Sequence, residues 1–227
     1  MALIVAIDGP SGVGKTTTSK LVAHELNLPH IDTGAMYRAI GLAAIRDGID
    51  TRDAGALEAL ASRATIEFVP GDPPRVLLEG EDITSLIRTP EMSMAASNVS
   101  AVPAVRRVLV RLQQELGRRN GGVLEGRDIG TKVFPETPHK FFLTARPEVR
   151  ARRRYAELIA RGQPADYDAV LADSMLRDTQ DSTRADSPLT WDESYTVIDT
   201  SDLTIGEVVG EIVAAVRGSG TAAELHS

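Results

Sequence analysis

Residues 3–26 read LIVAIDGPSGVGKTTTSKLVAHEL, and this stretch decides the fold. Leu3 to Ile7 is a short, unbroken apolar run, which is typical of a buried parallel strand. A glycine-rich segment, Gly9–Thr16, follows it, and the next residues, Thr17–Leu26, have the pattern of a helix. Another short strand is predicted at residues 30–31. A strand, a tight loop, a helix and a strand form a βαβ unit, which implies a parallel sheet.

The glycine-rich segment GPSGVGKT matches the pattern G-x-x-x-x-G-K-[ST], and it has the required strand before it and helix after it. Backbone N–H groups of such a loop point at a phosphate, and the helix N-terminus adds its positive dipole end. Lys15 supplies a mobile charge for the β- and γ-phosphates, and the Thr16 hydroxyl is a ligand for Mg²⁺. The alternative is a glycine-rich turn with a surface lysine. The predicted nucleotide-binding residues are Gly9, Pro10, Ser11, Gly12, Val13, Gly14, Lys15, Thr16 and Thr17.

Composition excludes several classes of protein. The chain has 227 residues, a net charge of −7, 42% hydrophobic and 25% charged residues, which is ordinary globular usage. The absence of cysteine excludes a disulfide scaffold, cysteine-ligated zinc, an iron–sulfur cluster and a thiol nucleophile, and it fits a reducing cytoplasm. The negative charge argues against nucleic acid as a partner. No apolar run is long enough for a signal peptide or a membrane span, so we expect no membrane partner.

The middle of the chain departs from the α/β rhythm. Residues 56–64 have helical spacing, residues 65–69 alternate like a strand, 70–74 (PGDPP) form a turn, and 76–78 form a second strand. This pattern predicts a small antiparallel hairpin, which is foreign to a parallel core. We therefore interpret residues 38–105 as an inserted subdomain.

Regular α/β structure resumes after the insert. A helix begins at Pro103, and a capping box of Thr204 and Glu207 opens the closing helix. Residues 218–227 are predicted to be a disordered tail. Further short strands are predicted at 123–124, 141–143 and 197–198.

Three more segments combine arginine, acidic residues and glycine: DTGAMYR at 32–38, EGRDIGT at 125–131 and RDTQDSTR at 177–184. Each is predicted to start at a strand or helix end and to run into a loop, where sites tend to lie. Singly, each can be a solvated loop; beside a phosphate loop they indicate a second anionic substrate. A GTP-driven switch is the rival from another class, but the sequence has neither an Asp-x-x-Gly strand end nor an Asn-Lys-x-Asp guanine reader.

These segments resemble those of the bacterial cytidylate kinases, which transfer phosphate from ATP to CMP or dCMP. GPSGVGKT, DTGAMYR, IRTPE, EGRDIGT and RDTQDSTR follow one another in that family's order and spacing, and the resemblance covers residues 3–216. It implies a three-layer α/β/α P-loop kinase core around a five-stranded parallel sheet, made of 1–37, 106–145 and 186–217. It also implies a CMP-binding insert at 38–105 and a short arginine-rich lid at 146–185.

The resemblance also implies roles for the matching residues. Lys15, Arg38, Arg127, Arg177 and Arg184 would stabilise the transferring phosphoryl group, with ATP as co-substrate and Mg²⁺ held by Thr16. Gln180 stands where some relatives have arginine, which puts one lid charge in doubt. The residues implied to contact CMP or dCMP are Thr33, Tyr37, Arg38, Arg88, Ser97, Arg106, Arg127, Asp128, Arg177, Asp181 and Arg184. The family implies a monomer in the cytoplasm; another acceptor, such as UMP or shikimate, is the alternative.

The base-reading roles make chemical sense by themselves. Cytosine offers an amino donor and two acceptors, so Asp128 and Ser97 can accept from the amino group while Arg106 donates to N3 or O2. Uracil would place a carbonyl against the carboxylate, and unpaired buried groups of this kind cost about 1–3 kcal/mol. The alternative for Asp128 is a structural pair with Arg127 or a nearby backbone donor.

Two other groups of charged residues have open interpretations. Asp8 and Glu125, at strand ends, are candidates for contacts to the groups that ligate magnesium or for ordinary helix capping. Arginines are concentrated in 146–161, and they either pair with Glu148 and Glu157 on a solvated helix or belong in part to a lid over the ATP phosphates.

Overall fold

The computed structural model describes residues 2–51, 53–69, 71 and 74–224. No helix among them is both long and apolar enough to cross a membrane. The elements follow in chain order: β1 (Ile4–Asp8), α1 (Lys15–Leu26), β2 (His30–Asp32), α2 (Thr33–Arg46), α3 (Ala54–Arg63), β3 (Ile66–Val69), β4 (Arg75–Leu78), β5 (Glu81–Asp82), α4 (Pro90–Ser100), α5 (Pro103–Asn120), β6 (Gly122–Gly126), a π-helical turn (Ile129–Val133), β7 (His139–Thr144), α6 (Pro147–Ala160), α7 (Tyr167–Ser182), β8 (Thr196–Asp199) and α8 (Ile205–Glu224).

Five strands form a parallel sheet in the order β2-β6-β1-β7-β8, flanked by helices. The register sets Ile7 of β1 between Glu125 of β6 and Phe141 of β7. Every residue of β1 and β6 is buried, as expected for strands covered on both faces. The predicted fold class is confirmed.

The described residues group into two compact units. The first unit contains the residues up to His30 and those from Asn120 onward, and the second contains Ile31–Arg119. The predicted insert, 38–105, lies inside the second unit, which also includes most of α5, and the predicted lid, 146–185, lies inside the first. The roles of these two segments as a CMP-binding insert and a lid stay predictions.

Alternation along the strands builds the core of the first unit. Val5 and Ile7 point to one face of the sheet and pack with Val22 of α1 and with Ile212 of α8, all of them fully buried. Asp8 points to the opposite face, because successive side chains of a strand alternate. The carboxyl end of β1 therefore presents an acid on one face and an apolar wall on the other.

The second unit has its own core between α2, α4 and a three-stranded antiparallel sheet, β3-β4-β5. The helices α2 and α4 approach closely, since a Cβ at Gly41 would lie 2.9 Å from the Cβ of Ala95. The predicted hairpin is confirmed by the pairing of Ile66 with Leu78. Within its predicted turn, Pro70, Asp72 and Pro73 lie outside the described residues.

Two local predictions are wrong. DTGAMYR does not run into a loop, because α2 begins at Thr33, directly after Asp32, whose carboxylate caps it by accepting from the N–H of Ala35 at 2.9 Å. The backbone of 218–224 is helical rather than a tail, since α8 continues to Glu224, and extending a formed helix adds one hydrogen bond per residue fixed. Residues 225–227 of the predicted tail lie outside the described part of the chain.

Candidate active site

The phosphate loop connects β1 to α1 and packs tightly against its neighbours in the first unit. Gly12 has a left-handed backbone, φ +81°, and a Cβ there would lie 3.0 Å from the Cβ and the carbonyl oxygen of Arg150. A Cβ at Gly9 would lie 2.2 Å from the carbonyl oxygen of Leu143. Because glycine has no Cβ, Gly9 and Gly12 allow the backbone of the loop to pack directly against β7 and α6.

Lys15 is the first residue of α1 and is buried. Its Nζ donates to the carbonyl oxygen of Pro10 at 2.5 Å. Burial lowers the pKa of Lys15 well below its ordinary value, and the positive charge of Arg127 lowers it further, while Glu125 and Asp181 oppose the shift. An ammonium group in this position gains from any anion that approaches it, which is what phosphate binding supplies.

Thr16 and Glu125 present hard oxygen atoms beside the loop. The Thr16 hydroxyl donates to Oε2 of Glu125 at 2.9 Å, and His30 Nε2 lies 3.0 Å from Oε1 of the same carboxylate. Hydroxyl and carboxylate oxygens at a phosphate loop are the donor set that Mg²⁺ prefers, so these residues fit the ion. Among the described residues, no cluster of three or more histidine and acidic side chains has the geometry of a metal site.

Asp8 caps the π-helical turn that follows EGRD. Its two carboxylate oxygens accept from the N–H groups of Ile129 and Gly130, each at 2.9 Å, and from the hydroxyl of Tyr195 at 2.8 Å. Complete burial raises the pKa of Asp8 to about 6, against the effect of these donors. Of the two roles proposed for Asp8, capping is therefore the one that its contacts match.

Arg127, Asp181 and Arg184 form a buried charged cluster in the first unit. Arg127 Nε donates to Oδ2 of Asp181 at 2.8 Å, and Arg184 donates to Oδ1. Burial opposes ionisation of Asp181, but the two guanidinium groups outweigh it and hold the pKa of Asp181 below its ordinary value. Two cations share one anion, so the cluster keeps an excess positive charge suited to a phosphate.

The loop also receives contacts from α6 and α7. Arg150 donates to the carbonyl oxygen of Ser11 at 3.2 Å and pairs with Asp178 at 2.6 Å, and its side chain is only 5% exposed. Arg177 Nη1 lies 3.5 Å from the hydroxyl oxygen of Ser11. The segment predicted to be the lid thus contributes two guanidinium groups at the phosphate loop.

Four other arginines of 146–161 form surface ion pairs or bind the backbone. Arg154 and Arg161 both pair with Glu157, and Arg146 pairs with Asp202 on the surface. Arg153 donates to the hydroxyl and carbonyl oxygens of Thr200.

The second unit contains the remaining predicted acceptor residues. Arg38 pairs with Asp32 at 2.7 Å, and its Nε is buried without a hydrogen-bond partner among the described residues. Arg106 is buried on α5, with its guanidinium carbon 5.5 Å from the centroid of the Tyr37 ring. Thr33 is buried at the start of α2, Ser97 lies on α4, and Arg88 is exposed just before that helix.

The first unit therefore brings together Lys15, Thr16, Arg127, Arg177, Asp181 and Arg184, with the buried Asp128 next to Arg127 in the chain. The sequence did not predict the contacts that three further residues make at this site: His30, Arg150 and Tyr195. Arg150 carried a signal as part of the arginine run, whereas His30 and Tyr195 carried none, because their partners are 95 and 187 residues away in the chain.

Comparisons with known proteins show the family to which the chain belongs. A family model described as cytidylate kinase matches residues 5–218. The chain belongs to the cytidylate kinase family. A cytidylate kinase of Syntrophotalea carbinolica is 47% identical over 94% of this chain and 92% of its own length. That of Mycobacterium leprae is 47% identical over 95% of this chain and 96% of its own length.

Solved structures support the same fold. An uncharacterized protein from Eubacterium ventriosum aligns with a TM-score of 0.52, with 13% identity, and the alignment covers 96% of this chain and 99% of that one. At that identity the match shows the fold alone.

Proposed function

We propose that this chain is a cytidylate kinase that transfers the γ-phosphoryl group of ATP to CMP or dCMP and releases ADP with CDP or dCDP. The observation that carries the proposal is the positive cluster around the phosphate loop, in which Lys15 is buried beside the excess charge of Arg127 and Arg184. Membership of the cytidylate kinase family supports the choice of acceptor.

Phosphoryl transfer needs positioning and charge neutralisation rather than a side-chain nucleophile. The acceptor phosphate oxygen is already anionic, so no strong general base is required. Lys15 contributes a buried cation to the β- and γ-phosphates, and Arg127 and Arg184 neutralise charge on the group in transit. Because these groups lie in a poorly hydrated site, each is worth more than the same group in water.

Thr16 and Glu125 would hold Mg²⁺, with the Thr16 hydroxyl as ligand. Magnesium held there would supply positive charge that offsets the negative charge of the phosphates. The role of the chain itself is to keep Thr16 oriented, since its hydroxyl proton is donated to Glu125.

The remaining proposed residues concern the phosphate and the sugar of the acceptor. Thr33, Tyr37 and Arg38 would contact the phosphate and sugar, and Arg88 would face the acceptor from the insert side. The buried Nε of Arg38 offers a hydrogen bond that a phosphate oxygen can accept. Arg177 and Asp181 would contribute from the lid, with Asp181 toward the ribose.

Base choice would depend on Ser97, Arg106 and Asp128. Arg106 is held over the Tyr37 ring, which fixes its plane and prepares it to donate to cytosine. We propose that these three residues disfavour uracil, which would put its O4 against the Asp128 carboxylate. The protein would act as a cytoplasmic monomer with small nucleotides as its partners and without nucleic acid.

Product analysis tests the reaction. With ATP, Mg²⁺ and CMP, phosphorus NMR should show CDP and ADP appearing in equal amounts, and omission of CMP should stop ADP formation. ADP and inorganic phosphate forming at the same rate without CMP would mark a hydrolase or a switch and would overturn the proposal. Arg106→Met and Asp128→Ala should both reduce the preference for CMP over UMP.

A further inference from the structure

His30 is a partly buried side chain that has no role in the proposed reaction. Its Nε2 lies 3.0 Å from Oε1 of Glu125, and the other oxygen of that carboxylate accepts the Thr16 proton at 2.9 Å. The side chains of His30 and Glu125 are 14% and 5% exposed. The carboxylate is therefore held on both oxygens, by a histidine and by the phosphate-loop threonine.

The sheet explains how these residues meet. His30 begins β2, Glu125 lies near the carboxyl end of β6, and the two strands are neighbours in the sheet. Ile31 alternates to the opposite face of β2 and is buried there, which leaves the histidine facing the carboxylate. Since His30 is on a strand rather than a loop, its ring is a rigid support.

We propose that His30 is the positioning residue for the magnesium-binding end of the nucleotide site. Its Nε2–H holds Oε1 of Glu125, so that Oε2 stays aligned to accept the Thr16 proton and the Thr16 lone pairs remain directed to the cation. The proposal rests on the proposed function, because it assumes that Thr16 ligates the magnesium of bound ATP.

Without the His30 donor, the Glu125 carboxylate is attracted instead to the positive charge of Lys15. The charge of Glu125 acts on Lys15 and raises its pKa against the burial that lowers it. A carboxylate released from His30 can rotate toward the Lys15 ammonium and away from Thr16, which weakens the metal site. Outer partners of metal-binding groups commonly change metal affinity by about 10–100-fold when they are removed.

Two substitutions separate the donor from the shape of the side chain. His30→Phe keeps a flat ring but removes the donor, and His30→Gln replaces the ring but keeps an N–H that can reach Glu125. His30→Leu is a second variant without a donor, in case the phenylalanine disturbs folding. The readout is calorimetric ATP affinity measured twice, once with Mg²⁺ and once with EDTA, in the absence of CMP.

The expected result is a loss of about 10-fold or more in the affinity for ATP with Mg²⁺ in His30→Phe and His30→Leu, with the affinity in EDTA unchanged. His30→Gln should restore most of the difference. In a Glu125→Gln background, His30→Phe should add no further loss, because the histidine acts through the carboxylate.

Two outcomes would overturn the proposal: a wild-type ratio of the two affinities in the variants without a donor, or an equal loss with and without Mg²⁺, which indicates a purely structural role. Since no acceptor is present, these outcomes are independent of whether the chain phosphorylates CMP. Failure of the proposed function would instead appear as absent CDP in a protein whose magnesium-dependent ATP affinity is normal.

Discussion

Replacing Asp181 by asparagine tests the buried charged cluster. The change keeps the shape of the side chain and removes the single negative charge that Arg127 and Arg184 share. Breaking a buried ion pair from one side typically costs about 3–5 kcal/mol, since the partner charges stay buried. The Asp181 and Arg184 side chains are 8% and 9% exposed, but that of Arg127 is 22% exposed, so we expect the lower end, about 3 kcal/mol.

Urea unfolding at neutral pH measures this loss, and Asp202→Asn is the matched control. Asp202 also accepts two hydrogen bonds from an arginine, Arg146, but the pair is exposed and solvent screens it. Asp181→Asn should therefore lose far more unfolding free energy than Asp202→Asn. Equal losses in the two variants would refute the claim that burial makes the Asp181 cluster strong.

The stabilisation that Asp181 contributes should depend on pH in a defined direction. The folded-state pKa of Asp181 lies below its ordinary value, so its stabilisation is present above the pKa of an unfolded aspartate, about 3.9. It is lost as the pH falls through the folded-state pKa. The difference between wild type and Asp181→Asn should accordingly shrink in acid and stay constant near neutrality.

Three further predictions concern the phosphate loop and its support. Lys15→Met should lower kcat by about 10²–10³-fold while the fold persists, whereas Lys20→Met on the same helix should not, in steady-state assays of both variants. Gly12→Ala should raise the KM for ATP, whereas Gly48→Ala should change the kinetic parameters less. Both glycines have a left-handed backbone, but only a Cβ at Gly12 would meet a neighbouring residue. Because the pKa of Asp8 is raised to about 6, its contribution to wild-type stability should fall by about 2 kcal/mol as the pH rises from 4 to 7, and Asp8→Asn should lack that decrease in urea unfolding.

Local pattern predicted most of the elements that build the site. The apolar run, the glycine loop and the helix after it follow from adjacent residues, and so does the capping box, in which the Thr204 hydroxyl and N–H both donate to Glu207. The sequence did not predict helix α2 at DTGAMYR, because the glycine suggested a loop. The helix is stabilised by the Asp32 cap and by the apolar packing of Met36 and Ile40.

Long-range contacts explain what the sequence could not predict. The role of Asp8 depends on distant donors, because its carboxylate accepts hydrogen bonds from Tyr195 and from the turn that begins at Ile129. Arg150 is one of many arginines in its helix, and only the fold distinguishes it as the one that reaches Ser11. Each case depends on chain segments that are more than 100 residues apart.

The most direct test of the account is the acceptor preference of the purified chain with ATP and Mg²⁺. The ratio kcat/KM should be measured for CMP, dCMP, UMP, AMP and shikimate by following ADP release, with Lys15→Met as the control for contaminating kinases. The account predicts that CMP and dCMP are the preferred acceptors and that ADP release without an acceptor is negligible. A preference for UMP, AMP or shikimate, or ADP release that does not depend on the acceptor, would contradict it.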